Sequence, residues 1–189
     1  MAPEIAPYEK TLEGFRDYLA LLARLEINPR LQGKIDLSGV VQQTLLEGHQ
    51  SRKQLQGQGP EAIAAWLRKA LTNNLKDEVD KLRAQKRDVL REQSLDAAAE
   101  DSSCRLLAWL AAEESSVCQQ AIRHEEFLHL ASALASLPEK QRQAVELHHL
   151  QGCSLAEVAA ELNCSKPAVA GLLHRGLEKL RELLAEMQS

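Results

Sequence analysis

The sequence predicts an all-α chain of two small helical domains joined by a linker, and three observations lead there. Aromatic residues make up only 3% of the 189 residues, and Gly (9) and Pro (6) are sparse. Ala, Leu, Glu, Gln, Lys and Arg dominate, the residues that lose little side-chain entropy in a helix. Apolar residues recur at three-and-four spacing, and extended β-branched runs are missing.

The same numbers exclude several function classes. Lys plus Arg is 23 and Asp plus Glu is 27, a net charge of −4, and the hydrophobic share of 44% is ordinary for a globular chain rather than a disordered one. No apolar run approaches the roughly 18 residues of a spanning helix, so no membrane insertion is expected. The start, Met1 to Pro7, has no basic region and no apolar core, so it does not read as a secretory signal, and the chain is expected in the cytoplasm. Cys104, Cys118, Cys153 and Cys164 form no CxxC pair and read as free thiols in a reducing compartment.

The elements follow in order. Leu12, Phe15, Leu19 and Leu22 share one face of a first helix, Tyr8 to Leu25, which Pro29 ends because the residue before a proline avoids helix. A second helix starts near Ser38 as N-cap and runs through Val41, Thr44 and Leu45 towards Gln50. Gln54 to Gly59 reads as a polar loop. Pro60 suits the first turn of a third helix, whose stripe of Ile63, Trp66, Leu67, Leu71, Leu75, Val79 and Leu82 carries it to Arg83 or beyond. By spacing, Trp66 belongs to the core. Between Trp66 and Arg91 eight basic residues face four acidic ones; from Glu92 to Glu126 eight acidic residues face two basic ones. The small, polar stretch Asp96 to Ser103 marks the division, and a weak helical pattern resumes at Arg105 to Ala112. The expected layout is a helical domain over 8–91, an acidic linker over 92–120 and a second domain over 121–187.

In that second domain Leu128, Ala131, Leu134 and Leu137 make a helix face. Pro138 sits at the first turn of the next helix, which runs to about Leu150 and is stopped by Gly152. Ser154 with Glu157 is a capping box, opening a compact helix to Leu162 that buries Leu155, Val158, Ala159 and Leu162. Asn163-Cys164 is a tight turn, for which Asn suits the left-handed conformation. Ser165 caps a further helix, with Pro167 in its first turn and Val169, Leu173, Leu177 and Leu180 on its buried side. Two short helices around a tight turn form a helix-turn-helix pattern, whose second helix is built to enter the DNA major groove. From Ser165 to Arg181, Lys166, Arg175, Lys179 and Arg181 outnumber Glu178.

The residues of this pattern resemble a known family. Leu137-Pro138-Glu139-Lys140-Gln141-Arg142, then Gln151-Gly152-Cys153-Ser154-Leu155-Ala156-Glu157-Val158-Ala159 and Leu173-His174-Arg175-Gly176-Leu177-Glu178-Lys179-Leu180-Arg181, resemble conserved region 4 of bacterial RNA polymerase sigma factors. Val40-Val41-Gln42-Gln43-Thr44-Leu45-Leu46 and the segment from Trp66 to Asp77 are similar to region 2. The likeness runs from about Phe15 to Leu184, in the two-region layout of the sigma-70 family's extracytoplasmic-function (ECF) type.

The resemblance implies a sigma factor that directs promoter recognition and transcription initiation, with core RNA polymerase and promoter DNA as partners. It also implies an anti-sigma factor as a possible restraint, no cofactor and no catalysis. It places Val41, Gln42, Thr44, Leu45 and Glu47 on or near the polymerase-binding face. Gly39 stands where the family commonly has an acidic residue, which removes a salt link and loosens that helix start. Asn73 and Lys76 stand where the family traps unpaired bases of the −10 element, with Arg68, Lys69, Lys81 and Arg83 as cations for the strand. For the −35 duplex the candidates are Ser165, Lys166, His174 and Arg175, with Ala168 able to touch a thymine methyl. Ala170-Gly171-Leu172 replaces the Arg, Lys or Ser common in mid-helix, and close backbone approach to DNA is one reading of Gly171. With each module small and weakly charged, the chain is expected to bind promoter DNA poorly without polymerase.

Other readings stay open on the residues alone. A helix-turn-helix regulator that is not a polymerase subunit needs no Trp66 to Asp77 segment, and a purely protein-binding helical module needs no basic reading helix. His124 and His129 are five apart, one too many for the two-histidine zinc-hydrolase box, so no metal site is expected. His148 and His149 are adjacent and read as solvated surface.

Overall fold

The computed structural model describes residues 12–87 and 117–187. The chain divides into two compact units, Met1–Asp101 and Ser102–Ser189. All regular structure among the described residues is helical, and none of those helices is long and apolar enough to cross a membrane.

The first unit contains α1 (Arg16–Glu26), the short α2 (Pro29–Gln32), α3 (Leu37–Gln50), the short α4 (Arg52–Leu55) and α5 (Pro60–Arg87). Leu19, Leu22, Val41, Leu45, Leu67 and Leu71 interlock as the core of α1, α3 and α5, each buried. Fully burying one such side chain contributes about 1.5–3 kcal/mol. Gly48 sets the approach of α3 to α5, since a Cβ there would lie 3.3 Å from Leu67 Cδ2 and 3.4 Å from Leu12 Cδ2.

Five local expectations change. Pro29 does not simply end a helix; it opens α2, where its missing N–H costs nothing. The Gln54–Gly59 loop is shortened by α4. The cap of α3 is Asp36, two residues before Ser38, and its Oδ1 accepts from Gly39 N at 3.0 Å. A Cβ on residue 39 would sit 2.7 Å from Asp36 Oδ2, so Gly39 admits the capping carboxylate, and the helix start is fastened rather than loosened. Trp66 is half-buried, at the margin of the core instead of in it.

The second unit contains α6 (Val117–Ala135), α7 (Glu139–Val145), a π-helical turn (Glu146–Leu150), α8 (Leu155–Glu161) and α9 (Lys166–Met187). Helix α6 begins inside the span expected to be linker, and the Arg105–Ala112 pattern lies outside the described residues. Pro138 is the N-cap of α7 rather than part of its first turn. Gly152, at φ +74, closes the helix that ends at Leu150, in the left-handed region glycine enters without strain. The Ser154–Glu157 capping box is formed in both directions, Ser154 N donating to Glu157 Oε2 at 2.7 Å and Glu157 N to Ser154 Oγ at 3.3 Å. Leu155 is 38% exposed, because it opens α8 on the solvent side, while Val158 and Ala159 are buried. Asn163 adopts φ +49 in the turn, and Ser165 Oγ accepts from Ala168 N at 3.3 Å to cap α9. Helix α9 lies against α7 closely enough that a Cβ on Gly176 would stand 3.1 Å from Val145 Cγ2.

Candidate nucleic-acid interface

The helix-turn-helix of the second unit presents an outward surface. Val169, Leu173, Gly176 and Leu180 form the buried side of α9, whereas Ser165, Lys166, Ala168, His174 and Arg175 are all exposed. Among the described residues, nothing of this unit covers the surface needed for a groove. Among the described residues Lys166 and Arg175 have no ion pair, while Lys179 is held by Glu182 at 2.9 Å. A cation closed by its own neighbour has less to offer a phosphate than an open one, so the reading end of α9 carries its available charge.

The turn before α8 is more ordered than adjacent histidines suggest. His148 Nδ1 meets Cys153 O at 2.7 Å and the two histidine rings pack edge to face at 4.8 Å. Since a carbonyl only accepts, Nδ1 carries the proton of that bond. Burial first, then the His148 ring, lowers the His149 pKa. Burial first, then Glu157 and Glu161, raises the Cys153 thiol, so it stays protonated and unreactive. Beneath the surface, Arg142 brackets Glu139 and the buried Glu146, its Nε 3.8 Å from Glu146 Oε1. That pair ties the start of α7 to the π-helical turn.

In the first unit α5 sorts the six cation and amide candidates into three groups. Lys69, Asn73 and Lys76, at spacings of four and three, share one exposed stripe. Arg68 does not join them: it is half-buried and donates from Nη1 to Tyr18 Oη at 2.7 Å. Lys81 and Arg83 are compensated by their own helix, by Glu78 at 2.7 Å and Asp80 at 3.6 Å. Such exposed pairs add little to stability, yet they leave Lys69 and Lys76 as the exposed candidate cations of α5 without an ion pair among the described residues. Next to Arg68, Thr72 Oγ1 donates to Glu26 at 3.3 Å. Burial pushes the Glu26 carboxyl up, against Thr72 and Lys76, which pull it down.

The expected polymerase-binding face is corrected. Val41, Thr44 and Leu45 are buried in the core, and Thr44 Oγ1 donates to Val40 O at 2.9 Å while accepting from Asn74 Nδ2 at 3.2 Å. They shape α3 and show nothing to a partner. Gln42 is exposed and Glu47 half-exposed, bonded to Gln43 at 2.9 Å. The sequence reading missed Leu46, 49% exposed beside them. It also missed the cleft between α3 and α5, where Asp36, Glu47, Asp77 and Glu78 face the single Lys81. Its signal was present in the adjacent acids Asp77 and Glu78 of α5, which line it.

The comparisons with known proteins agree with this geometry. The model of the family "Sigma-70, region 4" matches residues 128–180, which span the end of α6 through most of α9. Over 163 residues, 85% of this chain, the sequence is 29% identical to the ECF RNA polymerase sigma factor SigE of Mycolicibacterium smegmatis. Residues 128–180 thus match sigma-70 region 4, and the chain as a whole is similar to an ECF sigma factor. The RNA polymerase sigma factor CarQ of Myxococcus xanthus is 43% identical over 60 residues, 32% of this chain and 34% of that protein. The ECF RNA polymerase sigma factor SigF of Caulobacter vibrioides is 47% identical over 55 residues, 29% of this chain and 31% of that protein. The chain spans 56% of SigE and about a third of each of the other two. Within the sigma-70 region 4 match lie Lys140 and the exposed Ser165, Lys166, Ala168, His174 and Arg175; Lys69, Asn73 and Lys76 lie outside it.

Proposed function

We propose that this chain is a sigma factor: it binds core RNA polymerase and directs it to promoters, reading the upstream element with α9 and holding the unpaired −10 strand with α5. The observation that carries the reading is the region 4 helix-turn-helix with an outward face whose cations Lys166 and Arg175 are unpaired among the described residues. The long match to an ECF sigma factor supports extending the role to the first unit. There, Lys69, Asn73 and Lys76 take the strand, and Gln42, Leu46 and Glu47 on α3 meet polymerase. Residues 8–91 act as the region 2 module, 92–120 as the linker and 121–187 as the region 4 module. The chain itself performs no covalent step in this function. It works in the cytoplasm, where polymerase and DNA are, and an anti-sigma protein covering these surfaces would keep it silent.

The test is reconstitution with core polymerase on genomic DNA, followed by mapping of transcript starts. Starts that share common elements near −35 and −10, and that vanish without the chain, are expected. Starts indistinguishable from those of core polymerase alone, with DNA binding retained, would instead make the protein a regulator acting from outside the enzyme.

A further inference from the structure

Gly171 lies in the middle of the outward face of α9, three residues after Ala168 and four before Arg175. Glycine in a helix interior is unfavourable by about 1 kcal/mol against alanine, and this one is not needed for packing. A Cβ built there meets no core atom. It would meet only the Arg175 guanidinium, at 3.3 Å from Nη1, 3.8 Å from Nη2 and 3.9 Å from Cζ. Long helical side chains lean towards the N-terminus, so Arg175 reaches back one turn and lies across the bare backbone of Gly171. The guanidinium thereby lines an apolar cleft with Ala168 and Leu172, with Lys140 of α7 on its rim.

We propose that Gly171 is a specificity-positioning residue: its missing side chain seats the Arg175 guanidinium along the reading helix, where its two Nη donors face one guanine of the upstream duplex. An arginine fork donating to O6 and N7 is the geometry that distinguishes guanine from the other bases in the major groove. Lys140 and Lys166 hold phosphate and set the register, which carries no sequence information. The inference rests on the proposed function, because it assigns a task within the same reading surface.

The experiment is selection of duplex sites from a randomised library by the full chain in complex with core polymerase. Wild type, Arg175→Ala, Arg175→Lys, Gly171→Ala and the double variant Gly171→Ala/Arg175→Ala are compared position by position. Arg175→Ala and Arg175→Lys are expected to lose preference for guanine at one position by roughly 5- to 150-fold, the range for one bidentate contact. Gly171→Ala should weaken the same position, leave the others unchanged, and add nothing in the Arg175→Ala background. Its helix content and melting temperature should be equal or higher, which separates lost positioning from unfolding. A Gly171→Ala profile identical to wild type would overturn the proposal. So would a uniform loss at every position, which would mean the backbone itself approaches the DNA, or an Arg175→Ala profile with every preference intact. If wild type selects no sequence at all, the sigma-factor reading fails first and this inference with it.

Discussion

Alanine at the two glycines of α9 is predicted to change stability in opposite directions. Both sit in the interior of the same helix, so alanine brings the same propensity gain, about 1 kcal/mol, at each. At Gly171 the added methyl meets only the movable end of Arg175, and the gain is kept. At Gly176 it meets Val145 Cγ2 at 3.1 Å, Gln141 Cβ at 3.4 Å and Gln141 O at 3.5 Å. Carbon atoms in contact prefer about 3.5–4.0 Å, so the methyl is short of room by roughly half an ångström. Neither neighbour yields easily. Val145 is buried and β-branched, hence stiff at χ1, and Gln141 O belongs to the α7 backbone. Overpacking of this kind costs about 1–3 kcal/mol. After the propensity gain, Gly176→Ala should lose roughly 0–2 kcal/mol, while Gly171→Ala gains up to ~1 kcal/mol. Native-state hydrogen exchange of α7 and α9 amides reads the second unit by itself. Protection should rise about fivefold in the first variant and fall, up to about thirtyfold, in the second. Equal changes of the same sign would refute the claim that α7 and α9 meet through Gly176.

Three further outcomes are expected. Ser154→Ala opens the capping box at the helix-turn-helix entrance and should lower stability by about 1 kcal/mol in urea unfolding, with Ser154→Asp retaining most of it. The Glu26 carboxyl is raised from its ordinary 4.5 by burial, so the folded first unit binds more protons than the unfolded chain and its stability falls as pH rises through that interval. Glu26→Gln should accordingly be the more stable protein at pH 7, with an advantage that shrinks as pH falls from the raised folded value towards 4.5 and is gone below it; an advantage that grows in acid would contradict the sign. Lys166→Ala should weaken DNA binding by the polymerase complex evenly across sequences and reduce the salt slope by about one, measured by titration at several salt concentrations; a loss confined to one base pair would assign Lys166 to base reading instead.

Local chemistry made the second unit legible. The capping box, Asn163, Gly152 and Ser165 each act within a few residues of themselves, so the turn between α8 and α9 can be read from the letters. What stayed hidden depends on partners distant in sequence. Arg68 looks like any other cation of α5 until Tyr18, fifty residues away, takes its guanidinium. Val41, Thr44 and Leu45 carry the family pattern of a docking helix, but the pattern does not say which face meets α5. The exposed side, with Leu46, emerges only from packing. The compensation of Lys81, Arg83 and Lys179 was open to inference, since each has an acid three residues away on the same helix. A balance of eight basic against four acidic residues gives the charge of this stretch but not which cations the acids close.

That pairing sets how strongly the chain can hold DNA alone. With Lys179, Lys81 and Arg83 closed by neighbouring acids and Arg68 turned to Tyr18, the open cations that can take phosphate on the candidate reading surfaces reduce to Lys69 and Lys76 in one unit and Lys140 and Lys166 in the other, with Arg175 kept for a base. Two phosphates neutralised per unit correspond to a salt slope of only about −2 for duplex DNA, far below the slopes near −10 of proteins that bind tightly by themselves. The two units are already tethered, so what a scaffold adds is geometry: held at the spacing of the two elements, the second contact forms at a higher effective concentration without a new contact. The free chain should therefore bind a promoter fragment weakly, with a log–log salt slope of about −2, and acquire both affinity and a steeper slope when core polymerase is added. Fluorescence anisotropy across a salt series decides this. A free chain that binds tightly and with sequence preference would mean that its units already cooperate without polymerase.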